Sequence, residues 1–216
     1  WARGRRSSVA HGRFDPAASD NLSDMDVHAA LARVGVRVPD VLLPRPGTDL
    51  NAWAVVACDQ FTSQPEYWQQ VADLVGDKPS TLNLIFPEVY LEQPKPDVRI
   101  TAINEAMGRY LADGVTDSHP STMVLVRRTT ALGAVRWGLI TALDLEHYSW
   151  QPDARTLIRA TEGTILDRLP PRVMIREAAA MELPHIMVLI SYEHRRVVEP
   201  LVAAVDRLEP LYDTEL

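Results

Sequence analysis

The stretch MVLVRRTTALGAVRWGLITALDL, residues 123–145, decides how the chain folds. Two strand-prone runs, Met123 to Val126 and Val135 to Leu145, flank a connection that contains Thr129, Thr130 and Gly133. Val-, Leu- and Ile-rich runs on either side of a glycine-containing bend predict two strands joined as a hairpin. Antiparallel pairing of sequence neighbours is foreign to a regular doubly wound sheet, in which each strand returns through a helix. The fold class is therefore read as α/β, with α+β as the alternative, built as a mixed sheet with flanking helices.

Working outward from the hairpin, helical and strand-like patterns alternate. Upstream, Ile100, Ile103, Met107, Tyr110 and Leu111 recur at helical spacing as far as Gly114. Thr81 to Phe86 reads as a strand closed by Pro87, and Trp53 to Cys58 as another. Between those two, Ser63 and Glu66 have capping-box spacing with Pro65 in the first turn, so a helix is expected to Leu74, with Trp68, Val71, Leu74 and Val75 inward and Gly76 at its end. A Pro-rich connection, Pro39 to Gly47, precedes them, and before it Ser23 or Asp24 can cap a short helix bearing Val27, Leu31 and Val34 that Gly35 ends. Downstream, Ile186 to Ile190 is expected as the last strand, and Glu199-Pro200 as the start of a terminal helix with Leu201, Val202, Val205 and Leu208 inward.

The 216 residues are 46% hydrophobic and 24% charged, proportions of a folded chain rather than a disordered one. Lys+Arg 22 against Asp+Glu 29 gives a net charge of -7, which argues against a nucleic-acid partner, since phosphate would be repelled except at a local basic site. One cysteine, Cys58, leaves no intramolecular disulfide, and no run approaches the roughly 18 apolar residues of a membrane span. The sequence thus reads as soluble, cytoplasmic and free of membrane contact. Residues 1–24 hold Arg3, Arg5, Arg6 and Arg13 among small polar residues without an apolar period, and are expected as a disordered or extraneous leader; residues 25–216 are expected as a single domain.

Chemistry concentrates in three stretches. Cys58 to Ser63 stands where a strand would run into a helix N-terminus; Asp59 there can accept a proton or hold a cation, or simply begin a turn. The richest stretch runs from Arg159 through Thr161, Glu162, Gly163 and Thr164 to Asp167, Arg168, Arg172 and Arg176. Pro171 suits a first helical turn, which would place Arg172 and Arg176 four apart on one face. Guanidinium forks suit bidentate phosphate recognition and glycine permits close backbone approach, so the stretch is a candidate phosphate cradle; surface pairing of Glu162, Asp167 and the arginines with one another is the other reading. Neither G-x-x-x-x-G-K-S/T nor G-x-G-x-x-G occurs. In the third stretch His185 is a candidate base or an edge-of-core histidine. One cysteine with dispersed histidines supplies no zinc set, and Cys58 has no basic activator near it in sequence.

Val56 to Trp68, the run Leu84-Ile85-Phe86-Pro87-Glu88-Val89-Tyr90-Leu91, Leu157 to Arg168 with Pro170-Pro171-Arg172, and Leu183-Pro184-His185-Ile186-Met187 together resemble the bacterial domain-of-unknown-function 1015 family. The resemblance covers about residues 25–216. That family in turn resembles free-serine kinases of the ParB/sulfiredoxin superfamily, which implies a ParB/sulfiredoxin-like fold, ATP or ADP with Mg²⁺ as cofactor, and phosphoryl transfer to a small, serine-like hydroxyl substrate. Family members carry a Gly-Asp-Gly-Asn-His-Ser-like segment farther along; none stands here, so the sequence is expected to be the N-terminal portion of a longer protein, truncated at its C-terminal end.

On this reading Arg159, Arg168, Arg172 and Arg176 contact phosphate beside Gly163, with Thr161 and Thr164 as hydrogen-bond donors. Glu162 accepts the substrate proton or binds metal, and Asp59 is the second candidate for either role. A nucleotide-binding regulatory module without turnover, or an inactive fragment of a longer enzyme, are the alternatives. Metal ligands and oligomeric state are left open.

Overall fold

The computed structural model describes residues 6–11, 24–91, 96–161, 163, 165–183 and 185–215. In chain order the elements are β1 (Arg6–His11), α1 (Asp24–Arg33), β2 (Val36–Arg37), β3 (Val41–Pro44), α2 (Leu50–Trp53), α3 (Pro65–Val75), α4 (Pro96–Ala112), β4 (Thr116–His119), β5 (Val124–Thr129), β6 (Val135–Ile140), β7 (Ala142–Leu143), β8 (Tyr148–Ser149), β9 (Ile158–Arg159), α5 (Leu169–Glu177), α6 (Glu199–Ala203) and β10 (Glu209–Glu215). This is a mixed α/β architecture of small sheets with helices beside them. The chain forms two compact units, residues 1–41, 118–163 and 190–216 in one, residues 42–117 and 164–189 in the other. Each unit is assembled from separated segments, which is why no linker is readable in the sequence.

The first unit is built on the expected hairpin. β5 and β6 pair antiparallel from Val124 opposite Ile140 to Thr129 opposite Val135. Their turn is closed by Gly133 N–H donating to Thr130 O (2.9 Å) and Thr130 N–H to Ala134 O (2.9 Å), with Gly133 at φ 81, a conformation glycine adopts without a Cβ penalty. The sheet order is β10-β1-β5-β6. Arg6–His11, expected without regular structure, is a strand between β10 and β5, its backbone groups taken up by a ladder on each side. Residues 1–5 and 12–23 of the expected leader lie outside the described residues. Gly35 ends α1 at φ 73, and a Cβ there would stand 2.7 Å from His147 Cβ, so both its conformation and its packing require glycine.

The second unit buries its apolar residues along α4. Ile100, Ile103, Ala106, Met107 and Tyr110 are buried, as the helical spacing predicts, whereas Leu111 is exposed. Leu84, Phe86, Ile103, Ala106, Met107 and Tyr110 form one cluster, with Trp53, Ile175 and Met181 packed on it. The two expected strands of this unit take other forms. Asp49 accepts from the N–H groups of Asn51 and Ala52 and starts α2, so the first run opens as a helical turn and continues as residues 54–57, which form no strand among the described residues. Lys78 Nζ lies 2.7 Å from Asp49 Oδ2, and this partner holds the Asp49 carboxyl below its usual range. Thr81–Leu84 is a 3₁₀ helix because the buried Ser80 hydroxyl accepts from Leu82 N–H, a local cap that overrides the strand preference of the run. Leu84, Ile85 and Phe86 are nevertheless buried, so the pattern foretold burial correctly and element type wrongly.

Three further expectations change. α3 starts at Pro65 with Gln64 in the cap position and no side-chain cap bond, so the Ser63–Glu66 capping box does not form; Trp68 and Val75 are buried, but Leu74 is 66% exposed. Ile186 to Ile190, expected as the last strand, is exposed and is not a strand among the described residues. The terminal helix is only Glu199–Ala203, followed by a 3₁₀ turn and β10.

One hydroxyl ties this core together. Tyr110 OH accepts from Ser80 N–H (2.9 Å) and Asn83 Nδ2 (3.0 Å) and donates to Ser80 O (3.2 Å). Tyr110→Phe strands a Ser80 N–H that is fully buried, and the expected loss is about 1–3 kcal/mol in urea unfolding. A loss below the measurement error would show that the Ser80 turn does not depend on this bond.

Candidate functional site

The site is assembled in the second unit from two segments far apart in sequence. After the buried Leu84-Ile85-Phe86-Pro87 run, Glu88–Tyr90 makes a single 3₁₀ turn, and Glu88 N–H donates to Cys58 O at 2.8 Å. This bond holds the Cys58-Asp59 turn against Glu88. From the other segment, a 3₁₀ turn, Leu166–Arg168, leads into α5, whose prolines occupy its first positions, where a missing N–H is harmless. Arg168 and Arg172 are four residues apart and so share a face.

That face meets Glu88. Arg168 Nη1 lies 2.7 Å from Glu88 Oε2, and Arg172 Nη2 donates to Glu88 Oε1. The carboxylate is 4% exposed while the two guanidinium-bearing side chains are 42% and 41% exposed. A buried anion thus gathers two cations carried on half-exposed side chains. A guanidinium has five N–H donors, so each arginine keeps several for another partner. The contacts differ in kind: Arg172 makes an aligned hydrogen bond, whereas Glu88 Oε2 has no aligned hydrogen bond among the described residues despite its closeness to Arg168.

The remaining candidates are placed as follows. Arg176, four residues beyond Arg172, is engaged elsewhere: its Nε and Nη2 donate to the Glu182 carboxylate at 2.6–3.2 Å. Asp59 is exposed on the turn that Glu88 holds and accepts a long bond (3.4 Å) from Gln60 Nε2. Arg159, in β9, Thr161 and Gly163 are exposed and belong to the first unit. A Cβ at Gly163 would meet nothing within 4 Å, so no close backbone approach requires glycine there. Glu162 and Thr164 lie outside the described residues. The structure therefore brings together Arg168 and Arg172, with Asp59 on the adjoining turn, and does not join Arg176 to them.

Burial pushes the Cys58 thiol up, Asp59 and Glu88 add to that, and Arg172 opposes it without prevailing. A protonated thiol is a poor nucleophile, so the guanidinium beside it does not make Cys58 reactive. His185 is exposed in a segment without regular structure. Among the described residues no group of three or more His, Cys, Asp or Glu can hold a metal ion. Glu88 is occupied by guanidiniums and Asp59 offers one carboxylate, which does not fit a protein-built Mg²⁺ site.

Glu88 is the residue sequence reasoning missed. It was visible only as a charge directly following a buried run and a proline, a place where a carboxylate needs a partner.

Among the described residues no helix is long and apolar enough to cross a membrane. No curated protein and no solved structure matches the chain. A family model described as "Protein of unknown function (DUF1015)" matches residues 42–216, which takes in every segment of the second unit, Cys58, Glu88, Arg168 and Arg172 included. With well over half of its length matched, the chain belongs to the DUF1015 family.

Proposed function

We propose that this DUF1015 chain binds the phosphate groups of ATP or ADP at Arg168 and Arg172 and acts in phosphoryl transfer to a small, serine-like hydroxyl substrate. The observation that carries the binding step is the pair of half-exposed guanidiniums collected on one buried carboxylate. Two forks side by side match the several oxygens of a phosphate, and phosphoryl transfer needs chiefly positioning and neutralisation of charge on those oxygens. The transfer step rests on the resemblance to free-serine kinases of the ParB/sulfiredoxin superfamily. Asp59, exposed on the turn whose Cys58 carbonyl is bonded to Glu88, is one carboxylate suited to take a hydroxyl proton; Glu162 is the other candidate for that role. Bound Mg²⁺ would supply further neutralisation of phosphate charge, and nucleotide oxygens rather than this chain's described carboxylates would provide most of its ligands.

A second reading, a nucleotide-binding module without turnover, is favoured by the ion pairing of Glu88, which ties the buried carboxylate of the site to both guanidiniums rather than to a substrate hydroxyl. Calorimetric titration with ADP, ATP and inorganic phosphate, paired with an assay for phosphoserine, separates the two. Loss of either guanidinium removes charge-assisted bonds, so Arg168→Ala or Arg172→Ala is expected to weaken nucleotide binding by about tenfold or more. Arg127→Ala, in β5 of the first unit, is expected to change it by less than about twofold. Equal effects of all three would reject the site, and binding without phosphoserine would favour the module.

A further inference from the structure

We infer that Glu88 is the positioning residue of this anion site, orienting Arg168 and Arg172 as a matched pair of forks rather than serving only as their counterion. The inference rests on the phosphate-binding reading above and adds to it a role for a residue that touches no ligand. The two guanidiniums contact different oxygens of one carboxylate, Arg172 through an aligned hydrogen bond and Arg168 through an ion-pair contact of 2.7 Å, so the planar Glu88 group sets the separation of the two charges. Its backbone is fixed in turn by the N–H bond to Cys58 O, and its side chain is almost fully buried, so it stands beneath the arginines and presents nothing to solvent. Without it, two like charges four residues apart repel and the long side chains regain their rotamers.

Charge and geometry predict opposite signs, which makes the role measurable. If Glu88 were only a counterion, removing its charge would raise the local positive potential and tighten every anion. A positioning residue does the reverse for an anion that needs the forks aligned. The probes are inorganic phosphate, which uses the fork geometry, and iodide, a spherical anion that senses charge alone. Both are titrated against the unaltered chain, Glu88→Gln and Glu88→Asp, with circular dichroism confirming the fold of each.

Glu88→Gln is expected to weaken phosphate by about tenfold, the worth of one misaligned charge-assisted bond, while iodide binding holds or rises. Glu88→Asp keeps the charge but shortens the reach, and is expected to weaken phosphate as well. Phosphate binding unchanged or tighter in Glu88→Gln overturns the inference, as does a parallel weakening of phosphate and iodide. Should Glu88→Gln not fold, Glu88→Asp decides: weaker phosphate with unchanged iodide supports positioning, and unchanged phosphate overturns it. Failure of the unaltered chain to bind phosphate would instead reject the anion site itself.

Discussion

Replacing Arg168 and Arg172 together by alanine should cost the second unit about 3 kcal/mol, because it leaves the Glu88 carboxylate buried without a cation. The carboxylate is 4% exposed with both arginines in place, and water entering the space they vacate would replace only part of two charge-assisted pairings. The arginines themselves are roughly two-fifths exposed, which places the cost at the lower end of the range for breaking a buried pair. Either single substitution leaves one guanidinium on Glu88 and should cost about 1 kcal/mol, near the average for point substitutions. A third change distinguishes the cause. Adding Glu88→Leu to the double variant removes the stranded charge, and most of the lost stability should return, since apolar replacement of a buried ionic group is often neutral or favourable. Urea unfolding of the single, double and triple variants gives these values. A triple variant no more stable than the double would show that the loss came from α5 and not from the abandoned charge.

The second large effect is expected at Trp68, which is 1% exposed on α3. Trp68→Ala should cost about 3–5 kcal/mol through lost burial and the cavity left behind. The ring also meets Tyr67 edge-on, at 5.6 Å between centroids, and Tyr67 stacks on Phe61 at 3.9 Å. Phe61 sits at φ 52, a left-handed conformation costly for an aromatic residue, and the stack helps to hold it there. The indole Nε1–H has no acceptor among the described residues. Trp68→Phe therefore removes an unsatisfied donor along with some volume, and should cost much less, about 1 kcal/mol. Thermal unfolding of the two variants checks the ordering. Equal losses would mean that the indole N–H has a partner and contributes as much as the ring's size.

These two expectations also mark the line between what the residues disclose and what only coordinates supply. The hairpin around Gly133 and the buried face of α4 were legible because their signals are local: strand-prone runs about a glycine, and apolar residues at helical spacing. The runs at 53–58 and 81–86 were misread as strands because single polar side chains just upstream, Asp49 and Ser80, cap helical turns there. A short apolar run has no periodicity with which to resist such a cap. Arg168 and Arg172 were legible as a basic pair by residue type and spacing. Glu88 was not, for its partner Arg172 stands 84 positions away and nothing local announces it. Arg176 has the same spacing from Arg172 as Arg168 does, yet Glu182 captures it; spacing places a side chain on a face without saying which acid waits there.

The central claim is that Arg168 and Arg172 offer their outer donors to one anion. Its most direct test is to follow arginine Nε–Hε resonances by NMR during titration with inorganic phosphate, with the Arg168, Arg172 and Arg176 signals assigned by substitution. The account predicts that the Arg168 and Arg172 signals shift together and saturate at one ligand concentration, while the Arg176 signal, held by Glu182, stays in place. Signals from all three that drift in parallel without saturating, or that do not move, would contradict it.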